Sequence, residues 1–257
     1  MRPAAIQMDM AWEDPQANYP RYAEWIRRAA AAGADLVVLP EMFPTGFSMA
    51  SDKIAEEPDG PSTTFLVEQA TAHGVHVCGS VAQVTPGFER PTNTLVLAGP
   101  GGVEARYHKI HPFSYSGEDR HYSGGHEFCT VTIAGVRTTF FVCYDLRFAD
   151  EFWQLADDTD CYLVPANWPR PRRQHWTALL QARAIENQAY VVGLNRVGEG
   201  RRRDGGALPY AGDSMIVDPL GRVLVHAAEV ETTVTAEVDP AVVAEVRDRF
   251  PFLPDRR

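Results

Sequence analysis

The strongest constraint on the fold is a recurring alternation of short, continuous apolar runs with longer helix-like segments. Residues 36–39 (LVVL) stop at Pro40, and similar runs lie at 75–82, 94–98, 139–143, 161–164 and 190–194. Apolarity that is continuous rather than every second residue suits strands covered on both faces. Between them, residues 21–32 are alanine-rich and end at Gly33, and 61–73 open with Pro61-Ser62 and end before Gly74. Residues 172–188 form the longest helical stretch, with Trp176, Leu179, Leu180, Ala184 and Gln188 near one face. Glycine just past a helix and proline at its first turn are the expected end signals. Strands alternating with helices predict an α/β fold.

The later chain reads differently. Residues 214–218 and 222–226 flank Pro219-Leu220-Gly221, a hairpin turn signal, and 232–238 read as a further strand. The pattern alone predicts an antiparallel element added to the α/β body in one mixed sheet system. No low-complexity linker or short repeat divides the 257 residues, so one domain over 1–257 is expected. The tail, about 240–257, is apolar and then charged, and is expected to dock on a neighbouring element or a partner subunit.

Bulk properties exclude several functions. A formal net charge of −10 argues against a nucleic-acid partner and against a polybasic membrane patch. The one basic cluster, Arg201-Arg202-Arg203, lies beside Asp204-Gly205-Gly206 and reads as a solvated loop, with contact to an anionic ligand or a partner subunit as the alternative. No run reaches the ~18 apolar residues of a membrane helix, and the N-terminus carries no signal-peptide pattern. Cys78, Cys129, Cys143 and Cys161 form no CxxC pair, so neither a zinc site nor a disulfide framework is expected, and a reducing cytoplasm fits.

Three residues stand where chemistry is possible. In TTFFVCYDLRF, an apolar run leads directly into Cys143, then Tyr144-Asp145. Ligands of open α/β sheets bind beyond the carboxyl ends of strands, so a nucleophile there is well placed, while a buried core thiol is the competing reading. Glu41 follows Pro40 at the end of another run and reads as a loop residue or an acid/base. Lys109, in VEARYHKIHPF, reads as a surface lysine or as an ammonium that lowers a thiol pKa and binds an oxyanion. None of the eight histidines has a distinctive setting, so a Cys–His pair also stays open. Glu41, Lys109 and Cys143 together make convergence at one sheet rim attractive.

Taken in order, LPEMF (39–43), RYHKIHPF (106–113), FVCYDLRF (141–148), HWTALLQARAIENQAYVVGLNRVG (175–198) and YAGDSMIVDPLG (210–221) resemble the nitrilase, or carbon–nitrogen hydrolase, superfamily over nearly the whole chain. The resemblance implies an α-β-β-α sandwich of two mixed sheets with outer helices, and pairing into a homodimer or larger homo-oligomer. It implies that Glu41 is the general base, that Lys109 binds the oxyanion, that Cys143 forms a thioester acyl-enzyme and that the Tyr144 N–H completes the oxyanion hole. Glu118 in GEDRHYSGG would orient Lys109, with Glu127 a poorer match. No cofactor and no metal are required.

Within the superfamily, CYDLRF, ANWP, ARAIENQAYV, NRVG and YAGDS are most similar to the omega-amidase, or 2-oxoamidase, branch. That branch implies release of ammonia from a small-molecule monoamide of a short 2-oxo dicarboxylate, 2-oxoglutaramate or 2-oxosuccinamate, with water as co-substrate. Arg147, Asn167, Trp168 and Arg170 or Arg173 are candidates to meet the substrate carboxylate, and Trp168 to wall the pocket. For Arg147 a structural ion pair is the competing reading. Pro112, where the branch commonly has leucine, and the wording of GEDRHYSGG are departures near the pocket mouth. Deaminated-glutathione amidase, N-carbamoyl hydrolase, nitrilase and acyltransferase activities share the triad, and a non-catalytic binding protein on the same fold is the reading outside enzymes.

Overall fold

The computed structural model describes residues 1–202 and 205–256. In chain order the longer elements are β1 (Pro3–Gln7), α1 (Pro15–Ala31), β2 (Leu36–Val38), α2 (Ser51–Ile54), α3 (Pro61–His73), β3 (His76–Gln83), β4 (Thr92–Gly99), β5 (Gly102–His108), β6 (Thr130–Ile133) and β7 (Val136–Phe140). They continue with α4 (Ala149–Gln154), β8 (Cys161–Ala166), α5 (Arg173–Asn187), β9 (Tyr190–Asn195), β10 (Val197–Arg201), β11 (Ala207–Val217), β12 (Val223–Ala228), β13 (Thr232–Thr235) and α6 (Pro240–Arg249).

The strands form two mixed sheets, not one. The first runs β13-β1-β2-β3-β4-β5; the second runs β10-β11-β9-β8-β7-β6, with β12 beside β11. The period-2 geometry of strands sorts side chains between two cores. Ala5, Leu36, Val38, Leu95 and Leu97 meet Phe140, Leu163, Val192 and Ile216 between the sheets. Their neighbours Ala4, Ile6, Val37, Val96 and Ala98 face outward onto Tyr22, Ile26 and Ala29 of α1 and Phe65, Leu66 and Ala70 of α3. On the other flank, Trp176, Leu180 and Ala184 of α5 cover the second sheet. This is the helix–sheet–sheet–helix order that the resemblance implies, and it corrects the single sheet system expected from periodicity alone.

Local signals explain most boundaries. Asp14 accepts a hydrogen bond from the Ala17 N–H at 3.1 Å, and Pro15 opens α1. That helix therefore starts before residue 21 and carries Pro20 in its interior. Gly74 closes α3 in the left-handed conformation, φ 66°. The turn between β11 and β12 is held by Asp218 Oδ1, which accepts from the N–H groups of Leu220 and Arg222 at 2.9 Å each. The run at 139–143 ends early as a strand: pairing stops at Phe140, and Cys143 opens a short 3₁₀ turn, Cys143–Arg147. Strand β5, which delivers Lys109, lay outside the predicted strands. Its signal is the alternation of Val103, Ala105 and Tyr107 with Glu104, Arg106 and His108.

The tail folds back on its own chain. Gln188 Nε2 donates to the Phe250 carbonyl at 2.8 Å, Arg256 Nη1 donates to the Trp153 carbonyl at 2.5 Å, and Leu253 is buried. Arg201 and Arg202 are exposed at the end of β10; Arg203 and Asp204 of the basic cluster lie outside the described residues. Among the described residues no helix is long and apolar enough to cross a membrane.

Candidate active site

Two sharp turns bring the candidate residues together. After β2 the chain passes Pro40 to Glu41, and Met42 takes a positive φ of 46°. The Met42 N–H is caught by Ser80 Oγ at 2.8 Å, and Ser80 Oγ donates to Asn93 Oδ1 at 2.7 Å. Gly79 permits this close fit, since a Cβ there would lie 2.8 Å from the Phe43 ring. The second turn follows β7, where Cys143 itself sits at φ 48°. A positive φ at a non-glycine residue is strained, and such strain is typical of residues held for function.

Asp145 holds the Cys143 turn. Its Oδ2 accepts from the Val142 N–H at 2.9 Å and from Tyr107 Oη at 2.8 Å, and its Oδ1 accepts from the His111 N–H at 2.9 Å. One buried carboxylate thus ties the Cys143 turn to the chain on either side of Lys109. Burial pushes its pKa up to about 6 despite Lys109 and these donors.

Lys109 is the centre of a buried ionic cluster. Its Nζ donates to Glu41 Oε1 at 2.9 Å and to Glu118 Oε1 and Oε2 at 3.1 and 2.8 Å. Glu41 and Glu118 are fully buried and Lys109 is 1% exposed. Asn93 Nδ2 bridges the two carboxylates, 2.8 Å from Glu41 Oε1 and 3.3 Å from Glu118 Oε1. The Phe113 N–H donates to Glu118 Oε2 at 2.5 Å. Glu127, by contrast, is exposed. Burial alone disfavours the ammonium, but Glu118, Glu41 and Cys143 hold the Lys109 pKa well above its ordinary value. Burial raises the Glu118 pKa, Lys109 opposes that rise and Glu41 adds to it. An ammonium fixed in this way is a permanent positive charge out of water, where it acts strongly on any developing oxyanion.

Cys143 is 8% exposed and joins this cluster electrostatically. Burial raises its thiol pKa well above the ordinary value and Glu41 raises it further, while Lys109 and the Asn167 N–H pull it down less. The resting group is therefore a neutral thiol that needs a base. The charged groups acting on it most strongly are Glu41, Lys109 and Glu118, none of them a histidine. Cys78 and Cys161 are fully buried core residues with pKa values pushed up by burial. Tyr144 is the second residue of the Cys143 turn, within the first turn, where backbone N–H groups have no intrahelical acceptor.

The expected substrate-binding residues divide. Asn167 is occupied with Glu41: its N–H donates to Oε2 at 2.8 Å and its Nδ2 to the Glu41 carbonyl at 2.6 Å. Its donors are spent on Glu41 instead of being offered to a carboxylate. Trp168, expected to wall the pocket from a loop, is only 3% exposed, with its ring 5.5 Å from that of Trp176. Asn195 pins its backbone, accepting from the Trp168 N–H at 2.8 Å and donating to the Trp168 carbonyl at 2.9 Å. Arg147 lies over the Trp168 ring at 4.7 Å and has no ion pair among the described residues. Arg170 and Arg173 are spent on Glu229 and Asp213. Sequence reasoning missed Asn93, Ser80, Tyr107 and Asn195, which act only through long-range contacts. Among the described residues no group of three or more His, Cys, Asp or Glu is placed to hold a metal ion.

Known proteins resemble the chain over nearly its whole length. A family model described as carbon–nitrogen hydrolase matches residues 2–248. An omega-amidase (YafV) of Escherichia coli strain K12 is 39% identical over 254 residues, covering 97% of this chain and 94% of that protein. A 2-oxoglutaramate amidase of Bacillus subtilis strain 168 is 33% identical over 258 residues, covering 99% and 96%. Among solved structures, a carbon–nitrogen hydrolase superfamily protein from Xanthomonas campestris, which carries an arsenic adduct in its active site, superimposes with a TM-score of 0.92. It is 38% identical and covers 100% of this chain and 97% of its own.

Proposed function

The chain belongs to the carbon–nitrogen hydrolase family, and from that premise we propose that it is a cysteine-dependent amidase acting on the terminal amide of a short 2-oxo dicarboxylate monoamide, of the 2-oxoglutaramate or 2-oxosuccinamate type. The observation that carries the mechanism is the buried Glu41–Lys109–Glu118 array acting on a neutral Cys143 thiol.

Glu41 takes the thiol proton as Sγ attacks the amide carbon. Lys109 Nζ and the Tyr144 N–H receive the charge that forms on the carbonyl oxygen. The tetrahedral adduct collapses, Glu41 returns the proton to the leaving nitrogen, and ammonia departs from a thioester on Cys143. Glu41 then deprotonates water, which attacks the thioester; the free acid leaves and the thiol is restored. Glu118 keeps Lys109 in place throughout, and Asn93 and Asn167 keep Glu41 in place. The substrate assignment is supported by the omega-amidase and 2-oxoglutaramate amidase relatives and by Arg147, a cation beside Tyr144 without an acidic partner among the described residues.

The test is ammonia release from 2-oxoglutaramate, an N-carbamoyl amino acid and a nitrile in parallel. The reading expects 2-oxoglutaramate to be turned over with the highest kcat/KM. It also expects Cys143→Ala to lose at least about 10⁴-fold in kcat while unfolding at an unchanged temperature. Preference for the nitrile or the carbamoyl compound would overturn the substrate, and ammonia release at the wild-type rate by Cys143→Ala would overturn the nucleophile.

A further inference from the structure

The turn after β8 carries three arginines close together, and they are not equivalent. Arg170 Nη2 meets Glu229 Oε1 at 2.7 Å. Arg173 forks onto Asp213, Nη2 to Oδ1 at 2.8 Å and Nε to Oδ2 at 2.9 Å, and also reaches Glu229. Arg172, between them, has no ion pair among the described residues. Its guanidinium lies instead over two aromatic rings, Phe113 at 5.5 Å and Tyr115 at 6.0 Å.

Arg147 is held in the same manner, over Trp168 at 4.7 Å and Tyr144 at 6.0 Å. Its Nη2 hydrogen-bonds His175 Nδ1 at 3.2 Å. The two shelves adjoin, because the Phe113 and Tyr144 rings are 4.7 Å apart. Tyr144 is the residue after Cys143, and Phe113 donates its N–H to Glu118. The cations sense one another: burial lowers the Arg147 pKa, and Arg172 lowers it further.

Arg147 and Arg172 repel one another, and among the described residues neither forms an ion pair, in a chain with 34 Asp and Glu residues. Stacking on ring faces fixes each plane and leaves its N–H fork free for a carboxylate. We propose that Arg172 acts with Arg147 as the receptor for a carboxylate on the acyl chain, making Arg172 a specificity-determining residue for acidic amides. This rests on the amidase reading above and deepens it. Arg170 and Arg173, the neighbours expected from sequence to serve, are each already paired with an acid.

The experiment compares kcat/KM for 2-oxoglutaramate with kcat/KM for pentanamide, an uncharged amide of the same chain length, in the wild-type enzyme, Arg172→Ala, Arg172→Lys and Arg170→Ala. Arg172→Ala is expected to lower the ratio about 10- to 100-fold, mainly through KM for the acid, the loss typical of one charge-assisted contact. Arg172→Lys should recover part of it, and Arg170→Ala should stay within about threefold of wild type. An unchanged ratio in Arg172→Ala, or an equal loss in Arg170→Ala, overturns the proposal. Failure of the amidase reading is distinct, since then the wild-type enzyme releases no ammonia from either amide.

Discussion

The buried cluster around Lys109 and the aromatic mouth around Arg147 adjoin, yet they are built on opposite principles. In the cluster, Glu41 and Glu118 take bonds from Lys109, Asn93, Asn167 and Phe113 and are sealed from water. At the mouth, Arg147 and Arg172 rest on ring faces, and neither has a carboxylate partner among the described residues. The first arrangement leaves no freedom to groups that, on the proposed mechanism, move protons and stabilise charge. The second leaves donors unused until a ligand arrives. On the proposed mechanism chemistry and selection are thereby separated, and substitutions in the two regions should be distinguishable by kcat and KM.

Breaking the cluster should produce the largest effect. Lys109→Met leaves two buried carboxylates without their cation, and removing one member of a buried ionic group costs about 3–5 kcal/mol. Ammonia release should fall at least about 10³-fold, through loss of oxyanion stabilisation. Urea unfolding and steady-state assays check both, and retention of wild-type stability would show that the cluster is not the rigid element described here. A change at Arg172, by contrast, should move KM for the acid and leave stability nearly untouched.

Asp145, between the two regions, offers a smaller and pH-resolved effect. Its folded pKa of about 6 lies above its ordinary value of 3.8, so the folded protein holds this proton more tightly than the unfolded chain. The stability it contributes is fully present below about pH 4 and is lost as pH rises through 6. The stability of the wild type relative to Asp145→Asn should therefore fall by up to about 3 kcal/mol between pH 4 and 7. Urea titrations at several pH values measure this, and a difference that stays flat with pH contradicts it.

How much of this was legible depends on the range of the interactions involved. Helix α3, with Pro61 at its start and Gly74 at its end, is written in local signals and lies where they place it. Strand β5 is also local, but its half-polar alternation is quieter than the solid apolar runs of β8 and β9. The second sheet is not local at all, since nothing in a strand's own sequence says which sheet it joins. Glu41, Lys109 and Cys143 stand out for their position after apolar or alternating runs, and the family resemblance added Glu118. Asn93 and Asp145 could not be found in this way, because their bonds to Glu41, Glu118, Tyr107 and His111 span 25 to 52 residues of sequence. The arginines after β8 give the sharpest case. Residue type made Arg170 and Arg173 candidates, but only the positions of Glu229 and Asp213 show that they are already paired.

The central claim is that the acyl group is carried on Cys143. Quenching the enzyme in acid during turnover of 2-oxoglutaramate, followed by peptide mapping by mass spectrometry, tests it most directly. The account predicts an acyl mass on the peptide containing Cys143 in the wild type, missing from Glu41→Gln, which lacks the base that takes the thiol proton, and missing from Cys143→Ala. An acyl mass on Cys129 or on any non-cysteine residue, with Cys143 unmodified, would contradict it.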